Sequence, residues 1–100
     1  MSEVVHKRHN VSVLLYHIVC TVKYRKSAFT ERVDKLLKEI CMEIEQRYEI
    51  TFLEIGTDEN HVHFLVQSVP SYSPTKLVRT IKSITAREIF ARFPTIKIWH

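Results

Sequence analysis

Apolar positions crowd residues 11 to 23 and alternate as a β-strand does. Leu14, Tyr16, Ile18, Cys20 and Val22 share one face, with Val13, Leu15, His17, Val19 and Thr21 on the other, because successive strand side chains point to opposite sides. A strand apolar on most positions of both faces is usually a central one. The period then changes. Val33, Leu36, Leu37, Ile40, Cys41, Ile44 and Tyr48 recur three and four apart, which is the stripe of an amphipathic helix. Thr30 stands ahead of it as an N-cap, Glu31 and Asp34 occupy its first turn, and it ends near Arg47 or Tyr48.

Two strand-like runs follow, "ITFLEIG" and "HVHFLVQSV", joined by the turn-forming "TDEN"; they predict an antiparallel hairpin. Ser73 is placed to cap a second helix and Pro74 to occupy its first position. Leu77, Val78, Ile81 and Ile84 give that helix its apolar stripe, and Phe90 and Phe93 close it before Pro94. "TIKIW" reads as a final edge strand. The order β-α-β-β-α-(β) predicts an α+β, ferredoxin-like fold with both helices on one face of an antiparallel sheet. Nothing in the chain is left to cover the other face, which is therefore where function is expected.

Length and composition narrow this further. One hundred residues form a single domain, 1–100, with one modest core. One glycine and three prolines argue against disorder and against a loop-heavy fold. The apolar run "VSVLLYHIVCTV" is about half of a membrane span, and the N-terminus has no signal-peptide pattern, so the cytoplasm is the default location. Cys20 and Cys41 fall on apolar faces and read as buried, reduced thiols. The net charge of +4 admits a polyanionic partner if the basic residues gather.

Candidate chemistry centres on "DENHVHFLV". His61, His63, Leu65 and Gln67 share one face of their strand, opposite Val62, Phe64 and Val66. Since the apolar trio needs the helices, both histidines belong on the open side. Two imidazoles a pleat apart can converge on one divalent cation. They can equally be solvent-facing histidines on an ordinary strand, and with six histidines in the chain the spacing alone does not decide. Basic residues form a second pattern. Lys23, Arg25 and Lys26 cluster after the first strand, while Lys76, Arg79, Lys82 and Arg87 lie along the second helix. Such residues contact phosphates or simply solvate a helix face. Tyr24, within the first cluster, either stacks on a base or is a plain loop residue. The N-terminal "HKRH" reads as a second basic contact or as a disordered end, and His17 shares the open face.

"YHIVCTVKYRK" on the first strand, followed by a helix, "HVH" at 61 to 63 and "IKSITAR" on the second helix, resembles the HUH single-tyrosine transposases of bacterial and archaeal insertion sequences. The resemblance runs from Tyr16 to the end of the chain. It implies a ferredoxin-like, dimeric protein that recognises hairpins in single-stranded DNA. It also implies that His61 and His63 hold Mg²⁺ or Mn²⁺, and that a tyrosine attacks the scissile phosphate to give a phosphotyrosine intermediate. On this reading Lys23, Tyr24, Arg25, Lys26, Lys76, Arg79, Lys82 and Arg87 bind DNA.

Two departures stand out. Tyr16, Tyr24, Tyr48 and Tyr72 do not match the family's nucleophile, which comes from a C-terminal helix together with a third metal ligand, and the sequence stops at "KIWH" where the segment leading to that helix would begin. The chain is accordingly read as C-terminally truncated and unable to cleave alone. Asn60 stands where the family often has an acidic residue; Asp58 and Glu59 are near, but strand alternation need not aim them at a metal. The alternative to a transposase is a non-catalytic module, decayed or repurposed, that still grips hairpin DNA. A third reading, an unrelated ferredoxin-like RNA- or ligand-binding module, is weakened because the sheet lacks paired aromatics for base stacking.

Overall fold

The computed structural model describes residues 12–23, 30–58 and 60–100. Its elements are β1 (Leu14–Thr21), α1 (Glu31–Arg47), β2 (Thr51–Thr57), β3 (His61–Ser68) and α2 (Pro74–Arg92). Both predicted caps form. The Thr30 hydroxyl accepts from the Val33 N–H at 3.3 Å, and the Ser73 hydroxyl accepts from the Lys76 N–H at 3.0 Å, ahead of Pro74 at the first position of α2. Each satisfies one of the backbone donors that a helix start leaves unpaired.

The sheet is antiparallel, in the order β1-β3-β2. This corrects the expectation that β1 is central: β3 is. The two-sided apolar character of β1 comes from residues left uncovered, since Leu15 and Val19 on its open face are 62% and 54% exposed. The expected fourth strand reduces to a single bridge between Val22 and Trp99, flanked by Lys23 N–H to Ile98 O at 2.8 Å and His100 N–H to Thr21 O at 3.2 Å. The chain is still turning after Pro94, where the Ile96 N–H bonds back to Phe93 O, so it reaches β1 too late for a ladder.

On the covered face, Ile18, Cys20 and Val22 of the β1 segment and Val62, Phe64 and Val66 of β3 pack with Leu37, Ile40 and Ile44 of α1 and Leu77, Ile81 and Ile89 of α2. β2 joins them through a bulge. Phe52 pairs with Val66 and Glu54 with Leu65, leaving Leu53 as the extra residue. That insertion lets Phe52 and Ile55, an odd number of positions apart, both face the core, and it puts Glu54 and Gly56 on the histidine side. In α2 the row Leu77, Ile81, Thr85 and Ile89 repeats every fourth residue and is buried. Phe90, expected to close the apolar stripe, turns outward and is exposed.

Thr85 ties the C-terminal segment to α2. Its hydroxyl donates to Ile81 O at 2.7 Å and accepts from Trp99 Nε1 at 2.9 Å. Thr85→Val keeps the shape but strands the indole N–H, and is expected to destabilise the fold by about 1–3 kcal/mol. Urea unfolding followed by Trp99 fluorescence checks this; an unchanged midpoint would contradict it.

Both thiols are free and buried. Burial raises the Cys20 thiol, with Lys82 partly opposing, and pushes Cys41 from the ordinary 9.0 to about 12, with Glu45 adding to the effect. The folded state therefore holds the Cys41 proton more tightly than the unfolded chain does. That contribution is intact below pH 9.0 and is lost as pH rises toward 12, at up to about 1.4 kcal/mol per pH unit. Cys41→Ala is expected to flatten this alkaline limb in urea melts, and an unaltered slope would speak against it.

Candidate metal centre

The strand period places His61 and His63 together on the open face of β3, half-buried, with ring centroids 4.5 Å apart. The hairpin turn adds a third group. Thr57 pairs with Val62, and the Asp58 N–H donates to His61 O at 2.9 Å. The turn thus folds Asp58 back over the strand, with its Oδ2 3.6 Å from His61 Nε2. One ligand atom from each of Asp58, His61 and His63 lies within 4.8 Å of the other two, and no other such trio occurs among the described residues.

Hydrogen bonding organises the rings. Asn60 Oδ1 pairs with His61 Nδ1. An amide oxygen only accepts, so Nδ1 is the donor to it, and Nε2 is the nitrogen that faces Asp58. His63 Nδ1 meets a different neighbour, His17 Nε2 of β1, at 3.2 Å. Beside the rings lies a recess of about 260 Å³ lined by His17, Glu54, Gly56, His63 and Leu65. Gly56 sits directly across from His63 in the β2–β3 ladder, and even a methyl group there would meet nothing within 4 Å. The floor of the site is open.

One carboxylate and two neutral imidazoles make a donor set that suits a divalent first-row cation, with Mg²⁺ favoured only by the carboxylate and by water. The residues present therefore fit the ion that the sequence led us to expect. Asp58→Asn removes the one carboxylate of the candidate trio and is expected to weaken Mn²⁺ binding at least about tenfold. A calorimetric titration showing equal affinity would remove Asp58 from the site.

The other predicted residues are distributed differently. Lys23 leaves β1 at the histidine end of the sheet, where Thr21 faces His61 and the Val22 N–H bonds to Asn60 O at 2.9 Å. Tyr24, Arg25 and Lys26 lie outside the described residues, as do "HKRH" and Glu59. Lys76, Arg79, Lys82 and Arg87 are on α2, across the sheet from the histidines. Lys76 sits over the Tyr72 ring at 4.7 Å, Lys82 lies near enough to Cys20 to act on its thiol, and Arg87 borders a groove with Phe90 and Trp99. All four belong to the helix layer, not to the candidate trio.

Among the described residues, no tyrosine joins the histidines. Tyr16, Tyr48 and Tyr72 pack against the core. The Tyr72 hydroxyl accepts from the Glu49 N–H at 3.2 Å, beyond the far end of β3, whose eight residues span roughly 23 Å. From the sequence, Asp58 is near the histidines but not aimed at them; the turn brings it into the candidate trio. The available signal was the Asp-x-x-His-x-His spacing across a tight turn, which returns the carboxylate to the strand.

A model of the IS200-like transposase family matches residues 10–100. The ISDra2 transposase TnpA of Deinococcus radiodurans is 29% identical over 90 residues, covering 90% of this chain and 64% of that protein. A transposase crystal structure from Deinococcus radiodurans R1 superposes with a TM-score of 0.76 at 27% identity, covering 85% of this chain and 65% of that one. The chain thus spans a little under two thirds of either relative's length. With the ferredoxin-like layers and the family match over nearly all of its residues, this chain belongs to the IS200-like transposases.

Proposed function

We propose that this chain serves DNA transposition by supplying the cation-binding half of a site that cuts and rejoins single-stranded DNA, and by gripping hairpin DNA. The observation that carries the reading is the convergence of Asp58, His61 and His63 on the open sheet face of a transposase-family chain. A bound Mg²⁺ or Mn²⁺ supplies Lewis-acid polarisation of the scissile phosphate and offsets its developing charge. His61 and His63 hold that ion from a rigid central strand, and Asp58 adds the negative charge.

The space over Gly56 leaves room for the sugar-phosphate chain, and Lys23, at the same end of the sheet, supplies a phosphate contact. The nucleophile is a tyrosine other than Tyr16, Tyr24, Tyr48 and Tyr72, as the family resemblance implies. Its oxygen attacks phosphorus to form a 5′-phosphotyrosine, and the departing 3′-oxygen takes up a proton. The ester conserves the bond free energy, so rejoining needs no nucleotide cofactor. Lys76, Arg79, Lys82 and Arg87 contact DNA from the helix layer. A homodimer is supported by the exposed Leu14, Leu15 and Val19 on edge strand β1. Action on DNA, which the transposase family implies, goes with a cytoplasmic location; separately, no helix among the described residues is long and apolar enough to cross a membrane.

A second reading, a binding module without chemistry, is favoured by one observation: no described tyrosine reaches the histidines. Hairpin DNA binding measured with Mn²⁺ and with a chelator separates the two. The cleavage reading predicts salt-sensitive binding that Mn²⁺ strengthens and that His61→Ala makes indifferent to Mn²⁺. Binding that ignores Mn²⁺ in the unsubstituted chain would favour the module, and no hairpin binding at all would sink both.

A further inference from the structure

The open face holds a third histidine outside the ligand trio. His17 stands on β1 diagonal to His63, since in the ladder His17 faces Leu65 and Val19 faces His63. Its Nε2 lies 3.2 Å from His63 Nδ1, and the two rings stack with centroids 5.2 Å apart and 25° between their planes. We propose that His17 is a positioning residue: it accepts the Nδ1 proton of His63 and so fixes the tautomer that leaves His63 Nε2 free for a divalent cation. The inference rests on the cation reading given above.

A neutral imidazole carries one proton, on one nitrogen or the other. Two arrangements are therefore open to the pair. If His17 donates, His63 keeps its own proton on Nε2 and has no lone pair left to offer an ion. If His63 donates, its lone pair is on Nε2, as it is in His61. The second arrangement makes the ligands alike: each histidine gives its Nδ1 proton to a neighbour and presents Nε2. For His61 the neighbour is the next residue in the turn, Asn60. For His63 it comes from the adjacent strand.

A cation on Nε2 draws density from the ring and makes Nδ1–H a stronger donor, so ion and His17 reinforce each other. His17 is not a fourth ligand on this geometry. Its Nε2 is engaged with the other nitrogen of His63, and the convergent group comprises Asp58, His61 and His63 without it. Stacking alone is the competing explanation of the contact, and a phenylalanine at 17 isolates it, because it stacks but accepts no proton.

The test compares the unsubstituted chain with His17→Phe and His17→Gln. Long-range ¹⁵N–¹H spectra of the metal-free proteins at about pH 8, where an ordinary imidazole is neutral, report which nitrogen of His63 is protonated. Calorimetry then gives Mn²⁺ affinity. The unsubstituted chain is expected to show His63 as the Nδ1–H tautomer. His17→Phe is expected to lose that preference and about 10–100-fold in Mn²⁺ affinity, with an unchanged far-UV spectrum. His17→Gln, whose amide oxygen accepts, restores the tautomer and most of the affinity.

An Nε2–H tautomer in the unsubstituted chain would overturn the assignment. So would a His17→Phe chain with unchanged tautomer and affinity. Failure of the unsubstituted chain to take up Mn²⁺ sinks the cation reading instead, and the metal-free tautomers still decide separately whether His17 sets the protonation of His63.

Discussion

Replacing His61 and His63 together by alanine is expected to lower Mn²⁺ affinity by at least about 100-fold, or ~2.7 kcal/mol, while the fold loses no more than about 1–2 kcal/mol. The two effects separate because of where the side chains stand. Both rings lie on the sheet face opposite α1 and α2, half-buried, so their removal opens no core cavity. What goes is two of the three converging donors, leaving an exposed Asp58 carboxylate that binds cations no better than any surface acid. Calorimetric titration and urea unfolding of the same sample measure both quantities. Unchanged Mn²⁺ affinity in the double variant would place the ion elsewhere, and a collapse of stability would mean that the histidines are structural.

Phe64→Ala is expected to do the reverse, removing about 3–5 kcal/mol of folding stability. Phe64 is fully buried on the strand that pairs on both sides. Its ring meets Phe52 at 5.7 Å and Trp99 at 6.3 Å, so truncation loses transfer energy, leaves a cavity and breaks two aromatic contacts. A domain of this size has about 5–15 kcal/mol in all, which makes the variant marginal at best. Because His63 and Phe64 are neighbours on β3, loosening the strand also scatters the ligands. Saturating Mn²⁺ is then expected to raise the unfolding midpoint of Phe64→Ala by mass action on the folded form. Full stability in Phe64→Ala would contradict the core described here.

Much of the frame was legible because each signal was local. The Thr30 and Ser73 caps, the α1 stripe and the two faces of β3 follow from period and hydrogen-bonding chemistry within a few residues, and the family resemblance carried by "YHIV" and "HVH" agrees with the comparisons. What was misread depends on contacts distant in sequence. β1 looked central because apolar residues on both faces normally mean cover on both faces, and no pattern distinguishes a covered face from one left for something else. The bulge at Leu53 was invisible to alternation, although it decides that Glu54 and Gly56 join the histidine side. Residues 95–99 have strand-like composition, yet the turn after Pro94 leaves only Trp99 in register with Val22.

The site itself divides the same way. That His61 and His63 share one face of β3 was legible from a two-residue period. Asp58 was not, because its approach to His61 is made by the turn and alternation says nothing about turns. His17 was placed on the right face, but its partner lies 46 positions along the chain, and only the β1–β3 register brings the two imidazoles together.

Cation binding at the Asp58–His61–His63 group is the property on which the proposed function depends. The most direct measurement is the selective paramagnetic broadening of the protein's NMR signals by substoichiometric Mn²⁺. The His61 and His63 imidazoles and the Asp58 turn are expected to broaden first, while signals at the far end of β3, around Ser68, stay sharp. Broadening centred on Glu31 and Asp34 in the first turn of α1, or spread evenly over the protein, would contradict this.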